Sequence, residues 1–377
     1  MTLPPRDAAA FIEPVSTDAA QAHIAAWRRL CVRASEPNVF AEPEFVLPAL
    51  RCIGATRRLQ MLLVWRDDAR QALIGVAVLR FPVAGFGVAR IWQSEQAGLP
   101  ALMLDREAIA PALDAIVDWL ARQPRLVGLV APTLEAEGPT AAALGALAAR
   151  ANLAIHWPHK RARAALPATS APLGGIDSSL PKKRVKEWAR QRRRLAEGGA
   201  LAYTASTDAR GVEEFLALEA RGWKGARGTA LRDDPALARF TRAMLEGFAA
   251  EGRLTIHRLA RDGAPIAIGL VLRAQRRAFY WKTAYDEAFA AFSPGVQLTL
   301  DLSRAVERDA SIALTDSCAI PDHPMIDSLW TARLALVDCV IATRPGAAAP
   351  LALWLRGEAL RLRLREAAKT LVNRLRA

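Results

Sequence analysis

Residues 277–300 combine a strand-like stretch, a loop and a helix start, an order that can bind an anion. RAFYWKTAYD alternates as a strand does, and AAFSPG connects it to the helical pattern VQLTLDLSRAVERDA. Ser293 is predicted to cap this helix, with Pro294 and Gly295 shaping its first turn. The first helix amides lack an acceptor inside the helix and add to its dipole. These amides are predicted to belong to Gly295, Val296, Gln297 and Leu298. The pattern suits a pyrophosphate, although a Ser-Pro-Gly turn is also an ordinary helix cap.

A second charged feature is PKKRVKEWARQRRRL, residues 181–195, in which only Glu187 opposes eight positive side chains. It can be interpreted as a nuclear-localisation signal, an RNA-binding arm or a basic helix of the fold. Its position in mid-chain argues against a signal, and Trp188 is the only aromatic residue available for stacking on bases. On a helix, Val185, Trp188 and Leu195 form one apolar stripe. We therefore predict a docked helix with a basic outer face, which can line the path of an anionic donor or acceptor.

Length and composition favour a globular protein of two domains. The chain has 377 residues, of which 52% are hydrophobic and 24% charged. A single hydrophobic core rarely serves so long a chain. The formal net charge is +13 in an Ala- and Arg-rich composition. This charge favours anionic partners in general and is weak evidence for nucleic acid.

Cysteine usage predicts a reduced, cytoplasmic protein without a metal site. Cys31, Cys52, Cys318 and Cys339 are far apart, and no histidine stands at ligand spacing from any of them. The first residues, MTLPPRDAAAFIEP, have no basic start followed by an apolar core, so no signal peptide is predicted. No apolar run is long enough to predict a membrane span.

Hydrophobic periodicity predicts helices followed by hairpins in both halves of the chain. AAQAHIAAWRRLCVRA reads as a helix, and RLQMLLVWRDD with ALIGVAVLR reads as a hairpin. In the second half, Pro235 and Gly252 bracket a predicted helix, and the next hairpin turns at Asp262 and Gly263.

Two short segments indicate an internal duplication. ALIGVAVLR at 72–80 and IAIGLVLR at 266–273 share Ile-Gly, a β-rich run and a final Leu-Arg. Coincidence is the alternative in so Ala- and Leu-rich a chain, but the elements before both segments have the same order. Pro, Gly and Ser enrichment marks a linker. The predicted organisation is an N-terminal domain at 1–165, a linker at 166–181, a C-terminal domain at 182–345 and a basic amphipathic helix at 346–377.

Several motifs of the second half resemble one family in their order. They are RQRRRLAEGG, LEARGWKGARGTAL, HRLARDGAPIAIGLVLR, FYWKTAYDEAFAAFSPGVQL and DSCAIPDHPMIDSLW, within residues 181–330. They resemble the GNAT-type acyltransferase domain of cellulose-biosynthesis-type acetyltransferases and, more distantly, FemAB-type peptidyltransferases. PNVFAEPEFVLPAL resembles the family's N-terminal region. The resemblance implies an α/β (α+β) fold of two tandem GNAT-like domains, with mixed, mostly antiparallel sheets flanked by helices.

The resemblance also implies a donor site. In GNAT enzymes, backbone amides between the central strand and the following helix hold the pyrophosphate of CoA, which matches residues 293–298 here. Of the family's Gln/Arg-x-x-Gly-x-Gly/Ala pattern only Gly295 is present. Acetyl-CoA or another acyl-CoA is the expected donor, and the aminoacyl-tRNA of FemAB-type enzymes remains the alternative. The first half has no comparable loop, so one donor site is expected, with no metal.

Acyl transfer to an amine or hydroxyl needs a base for the acceptor and an acid for the departing thiolate. Lys282 and Tyr285 stand near the end of a predicted strand, and their odd spacing puts them on opposite faces. Asp316 closes the next strand, and His323 lies in IPDHPM. These four are the catalytic candidates. Asp316 can instead cap a loop, and His323 can be a structural hydrogen-bonding residue.

Trp223 and Lys224, in GWKG, are candidates for acceptor binding. Trp223 can stack on a sugar or acyl face while Lys224 meets an anion. The alternative is an ordinary helix end with a packed indole and a solvated lysine.

The C-terminal stretch PLALWLRGEALRLRLREAAKTLVNRLRA repeats Leu and Arg at helical spacing. It is predicted either to pack on the body of the protein or to adsorb to an anionic membrane surface, peripheral to the inner membrane.

Composition and cysteine usage predict a cytoplasmic protein, and the resemblance implies an acyltransferase whose acceptor is a small molecule or a sugar. The resemblance implies a place in exopolysaccharide or envelope synthesis. The alternatives are a FemAB-like aminoacyl-tRNA-dependent transferase, with tRNA its only expected nucleic-acid partner, and a catalytically silent accessory module of a polysaccharide synthase.

Overall fold

The computed structural model describes residues 10–54, 58–82, 87–168 and 180–376, together with Ile176 and Ser178. Most of the predicted linker at 166–181 lies outside the described residues. The helices are α1 Ile24–Arg33, α2 Pro43–Cys52, α3 Ile109–Ala121, α4 Pro139–Arg150, α5 Lys182–Glu197, α6 Arg210–Arg221, α7 Trp223–Ala226, α8 Pro235–Ala250, α9 Pro294–Arg308 and α10 Ala348–Arg376.

Within these residues, a 14-stranded sheet runs through the whole molecule. Its strands are β1 Phe11–Val15, β2 Leu59–Trp65, β3 Leu73–Arg80, β4 Gly87–Ile91, β5 Leu102–Leu104, β6 Leu126–Glu135, β7 Ile155–His156, β8 Lys160–Pro167, β9 Leu201–Ser206, β10 Leu254–Arg261, β11 Ala264–Ala274, β12 Arg277–Tyr285, β13 Leu314–Asp316 and β14 Ala332–Ala342.

The strand order is β1-β2-β3-β4-β6-β14-β8-β13-β12-β11-β10-β9, with β5 beside β3 and β7 beside β14. Two pairs are parallel, β4 with β6 and β12 with β13, and the other pairs are antiparallel. This mixed, mostly antiparallel sheet flanked by helices confirms the predicted fold class.

The two halves repeat one order of elements: a strand, two longer helices, a hairpin, a third strand, a helix and a parallel strand. In the first half this order runs from β1 to β6, and in the second half it runs from β9 to β13. The matched segments of the sequence form β3 and β11, which are the second strands of the two hairpins. This equivalence supports the predicted duplication.

The halves exchange their last strands. Strand β14, from the end of the chain, pairs with β6 of the first half, while β8 pairs with β13 of the second. Strands β8 and β14 also pair with each other, so the sheet is continuous across the junction. The predicted boundaries at 165 and 345 therefore separate each half from a strand that its own sheet needs.

Aromatic side chains join the halves beneath the sheet. Phe45 of α2 meets Phe40 and Phe240 edge to face, with ring centroids 5.1 and 5.2 Å apart. Phe40 in turn meets Phe279 of β12 at 5.6 Å. All four side chains are buried, and such edge-to-face pairs stabilise beyond their burial. The core thus fixes β12 against the first half.

Local signals act as the sequence predicts. The Asp234 side chain accepts hydrogen bonds from the amides of Ala236 and Leu237, with Pro235 as the first helical residue of α8. The β10–β11 hairpin turns at Asp262 and Gly263, whose φ angles are 52° and 80°. Those left-handed angles are the ones that an Asp-Gly turn of this kind requires.

Helix α5 carries the basic stretch and docks as predicted. Trp188 and Leu195 are buried, and Val185 packs against the same part of the core as Trp188. The Gln297 side chain of α9 donates a hydrogen bond of 2.9 Å to the carbonyl of Trp188. Most of the basic side chains of α5 face outward, so this face is a basic surface beside the start of α9.

Helix α10 packs by its first turns only. Leu351 is buried, whereas Leu353, Leu360 and Leu364 are 71%, 58% and 62% exposed. In the described part of the chain, no helix is both long and apolar enough to cross a membrane.

Candidate active site

A cavity of about 560 Å³ opens in the second half where β12 and β13 separate. The two strands pair only from Arg277 to Phe279, opposite Leu314 to Asp316. Beyond Phe279, no strand of the described residues pairs with this edge of β12. The lining residues are Lys224, Tyr280, Trp281, Lys282, Thr283, Tyr285, Ala290, Ser293, Pro294, Gly295, Val296, Ser317, Cys318, Ala319, His323, Met325 and Ile326.

A bulge in β12 lies at this opening. Lys282 pairs with Leu270 and Tyr280 with Val271, so that Trp281 is the extra residue. A bulge reorients side chains and interrupts regular pairing, and bulges are frequent beside active sites. The Trp281 indole donates a hydrogen bond of 2.8 Å to the carbonyl of Gln96, which fixes this wall to the first half.

The start of α9 forms another wall. Ser293 lies at the N-cap position with φ of 51°, but its side chain makes no capping hydrogen bond, contrary to the prediction. Its carbonyl accepts hydrogen bonds from the amides of Val296 and Gln297, so the prediction that these amides lack an acceptor is wrong. The Gly295 amide has no acceptor among the described residues. Val296 and Gln297 are therefore not free donors, whereas the Gly295 amide belongs to a residue of the cavity wall and remains a candidate donor.

The residue at 295 has room for a small side chain but little more. A Cβ atom there would lie 3.6 Å from both the sulfur of Met325 and the ring of Tyr285, which is ordinary contact. A large side chain would have to extend into the cavity.

Lys282 lines the cavity and has a lowered pKa. Burial, and then the positive charge of Lys224, lower the pKa of Lys282 to about 8. Lys224 itself is ion-paired with the buried carboxylate of Glu219 at 2.6 Å. The Lys282 ammonium lies 5.1 Å from the centroid of the Trp281 ring. A substantial fraction of neutral amine near pH 8 is what proton acceptance requires.

Tyr285 and His323 also line the cavity. Tyr285 packs beside Leu298 of α9, while Lys282 lies toward Lys224, so the two side chains occupy different sides of β12 near one cavity. The Nδ1 atom of His323 is buried and has no hydrogen-bond partner among the described residues. Such an atom can meet a ligand in the cavity.

Among known protein families, one model matches a part of the chain. Residues 182–315 match the acetyltransferase (GNAT) domain. The cavity is lined mostly by residues of this matched region, called the GNAT domain below, and by Ser317 to Ile326, which follow it. None of the curated proteins compared matches the chain.

Solved structures are similar to the chain at low sequence identity. FemX is 12% identical with a TM-score of 0.53, covering 88% of this chain and 96% of its own. The C-terminal domain of an Agrobacterium fabrum protein described as a lysylphosphatidylglycerol synthetase is 11% identical with a TM-score of 0.51, covering 90% and 97%. A tandem GNAT protein of clavulanic acid biosynthesis is 18% identical with a TM-score of 0.46, covering 89% and 99%.

Asp316 does not line the cavity of the GNAT domain. Its side chain is fully buried and is ion-paired with Arg163 of β8 at 2.5 Å. Its other oxygen accepts a hydrogen bond from the Cys318 amide. Both carboxylate oxygens are thus used in linking β13 to β8 and to the turn that follows, an arrangement that favours a structural role.

The remaining predicted site residues differ in whether their side chains reach the cavity. The side chains of Gln297 and Leu298 are buried in the core of the GNAT domain and contact α5 and β11 rather than the cavity. Lys224 lines the cavity, but its ammonium pairs with Glu219. The Trp223 side chain lies outside the described residues.

Several lining residues lack a signal in the sequence. Ser317, Cys318 and Met325 reach the cavity from the segment after β13. Burial raises the pKa of the Cys318 thiol well above its usual value, so this group is a protonated thiol rather than a nucleophilic thiolate. Cys318 has a left-handed φ of 53°. The sequence does not predict this angle, because residues other than glycine rarely adopt it.

In the first half, the segment before α3 differs from the segment before α9. Asp105, just before α3, is buried, pairs with Arg33 at 2.9 Å and accepts a hydrogen bond from the Glu107 amide. The Asp105 carboxylate is thus engaged by Arg33 and by an amide that precedes α3, and a single donor site stays a prediction. Among the described residues, no cluster of three His, Cys, Asp or Glu side chains could hold a metal.

Proposed function

We propose that the protein is an acyltransferase that moves an acyl group from acyl-CoA to an amine or hydroxyl acceptor in the cavity of its GNAT domain. The observation that carries this proposal is the free edge of β12, which opens beside the start of α9 and the amine of Lys282. The closer relation to cellulose-biosynthesis-type enzymes, and an acceptor from envelope polysaccharide synthesis, remain predictions from the sequence motifs.

The chain supplies the parts that acyl transfer requires. The unpaired backbone of β12 can hold an extended thioester arm, as a sheet edge holds an added strand. A backbone N–H there can meet the negative charge that develops on the thioester carbonyl. The Gly295 amide and the α9 dipole suit a phosphate group. Neutral Lys282 would accept the acceptor's proton, and Tyr285 or His323 would donate one to the leaving thiolate.

Blocking the start of α9 tests the donor site. We expect Gly295→Trp to weaken acetyl-CoA binding at least about tenfold, because an indole must enter the cavity. Gly295→Ala should bind nearly as the wild type does, since its Cβ makes only 3.6 Å contacts. Isothermal titration of both variants with acetyl-CoA and longer acyl-CoAs gives the comparison. Equal acyl-CoA affinity in the two variants would place the donor site elsewhere. The absence of any binding heat with acyl-CoA would refute CoA as the donor.

A second candidate is transfer from aminoacyl-tRNA, favoured by the FemX-like fold and the outward basic face of α5. A tRNA complex whose affinity falls steeply with salt would support it. If neither thioester nor tRNA binds, the silent accessory role is favoured instead.

We extend the proposal to a cytoplasmic protein that contacts an anionic membrane through α10. Leu353, Leu360 and Leu364 recur at spacings of seven and four residues, which puts them on one helix face, with Arg356 and Arg363 beside it. Exposed leucines flanked by arginines are typical of a helix lying in a membrane interface.

Vesicle sedimentation tests this contact. We expect binding to phosphatidylglycerol-containing vesicles, reduced at least about tenfold by Leu353→Ser/Leu360→Ser/Leu364→Ser, because each leucine contributes roughly 1–2 kcal/mol of burial. The control is Val32→Ser, which removes a side chain that is 70% exposed on α1. Unchanged sedimentation of the triple variant would count against the membrane contact.

A further inference from the structure

A second cavity, of about 390 Å³, lies in the first half. Its walls include Arg80, Arg90, Trp92 and Pro132. It lies beside the point where the parallel β4–β6 pairing ends, at Arg90 opposite Val130. In the repeated unit this corresponds to the end of the β12–β13 pairing, where the cavity of the GNAT domain opens. The volume is within the usual range of small-molecule sites.

Two arginines meet in this cavity, and the carboxylate of Glu95 at its exposed rim forms no ion pair with either of them among the described residues. Arg80 and Arg90 are directly opposite each other in the antiparallel β3–β4 pair, so their side chains share one face of the sheet. Like charges in this arrangement repel and destabilise the pair. Among the described residues, neither guanidinium has a carboxylate within ion-pair distance.

The carboxylates that attract Arg90 are already engaged. Glu358 pairs with Arg361 at 2.6 Å, and Asp338 pairs with Arg161 at 2.5 Å. Arg90 is partly buried, and this burial lowers the pKa of its guanidinium. Arg80 is exposed beside it. Two guanidinium groups side by side have the recognition geometry for a phosphate group, which they bind through paired N–H donors.

The other walls determine what else the ligand can carry. The Trp92 ring is partly buried and offers a flat surface, and Glu95 is exposed on the rim, where it can accept from a hydroxyl or amine.

We propose that this cavity binds a phosphate-bearing small molecule, with the phosphate held between Arg80 and Arg90. The site goes beyond the proposed acyl transfer and shares no lining residue with the cavity of the GNAT domain. The walls of the two cavities are nevertheless linked by one hydrogen bond. The loop that lines this one includes Ala97 and Glu95, which flank Gln96, the residue whose carbonyl holds Trp281 in the other.

Calorimetric titration of the full chain with inorganic pyrophosphate tests the proposal. The titration is run in the Gly295→Trp background, so that the start of α9 does not contribute. We expect one binding event, weakened at least about tenfold by Arg80→Gln/Arg90→Gln. The matched control, Arg122→Gln/Arg125→Gln, removes two exposed arginines elsewhere and should bind as its parent does.

Two further readouts separate binding from folding and phosphate from other anions. Because the variant removes like-charge repulsion, Arg80→Gln/Arg90→Gln should melt at or above the temperature of its parent. Citrate should bind more weakly than pyrophosphate. The proposal is overturned by a lower melting temperature, by tighter citrate binding, by equal pyrophosphate binding in the two double variants, or by no binding at all. Since acyl-CoA is absent from these titrations, none of these outcomes depends on the proposed acyl transfer.

Discussion

Replacing Asp316 by alanine is expected to lower the free energy of unfolding by about 3–5 kcal/mol. Asp316 and Arg163 are 0% and 4% exposed and form an ion pair of 2.5 Å. The alanine would leave the Arg163 guanidinium buried, with the Gly98 carbonyl as its remaining hydrogen-bond acceptor. It would also remove the acceptor of the Cys318 amide. Chemical denaturation followed by tryptophan fluorescence measures the loss.

Two further variants test whether the loss of stability comes from the unpaired buried charge of Arg163. Asp114→Ala removes a partner of Arg150 that is 40% exposed, and this should cost less than about 1 kcal/mol. Removing both charges, in Asp316→Leu/Arg163→Met, should recover much of the stability, because no unpaired ion then remains buried. If Asp316→Ala instead keeps wild-type stability and loses only turnover, Asp316 is catalytic and the structural interpretation fails.

The parts of the fold that sequence predicted are those with local causes. Asp234 before Pro235 starts a helix through its own side chain, and Asp262-Gly263 turns a hairpin through its own backbone angles. Strands β8 and β14 lack such causes. KRARAALP begins with charges and alanines, and ALVDCVIA has an acidic residue inside an apolar run. Their pairing joins residues about 170 positions apart, and no short stretch of sequence encodes that partnership.

The same distinction divides the candidate site. The strand, loop and helix of residues 277–308 are adjacent in sequence, so Lys282, Tyr285 and Gly295 could be placed at one site from the sequence alone. The environment of Asp316 could not be predicted, because its partner Arg163 lies on β8, a strand supplied by the other half. The bulge at Trp281 depends likewise on the register with β11, which the sequence of β12 does not specify.

Replacing Lys282 by methionine is expected to lower the rate of acyl transfer by about 10²–10⁴-fold, the usual contribution of a positioned base. Methionine keeps the length and the apolar stem of the side chain over Trp281 but cannot accept a proton. Because the pKa of Lys282 lies near 8, the wild-type rate should rise with pH through about 8 and then level off as the amine becomes neutral. Acyl-CoA hydrolysis, with water replacing the acceptor and thiol release as the signal, avoids any titration of the acceptor itself.

Lys224 provides the test that distinguishes a base from a simple positive charge. In Lys224→Gln the repulsion between the two lysines is gone, and the freed Glu219 carboxylate attracts the Lys282 ammonium. Both changes raise the pKa of Lys282, so the pH at which the rate levels off should move upward while the plateau is retained. Lys282→Arg should remain slow at every pH, because a guanidinium stays charged and cannot serve as the base. A rate that falls above pH 8, or full rescue by arginine, would mean that Lys282 acts through its charge, and the base would then be sought at Tyr285 or His323.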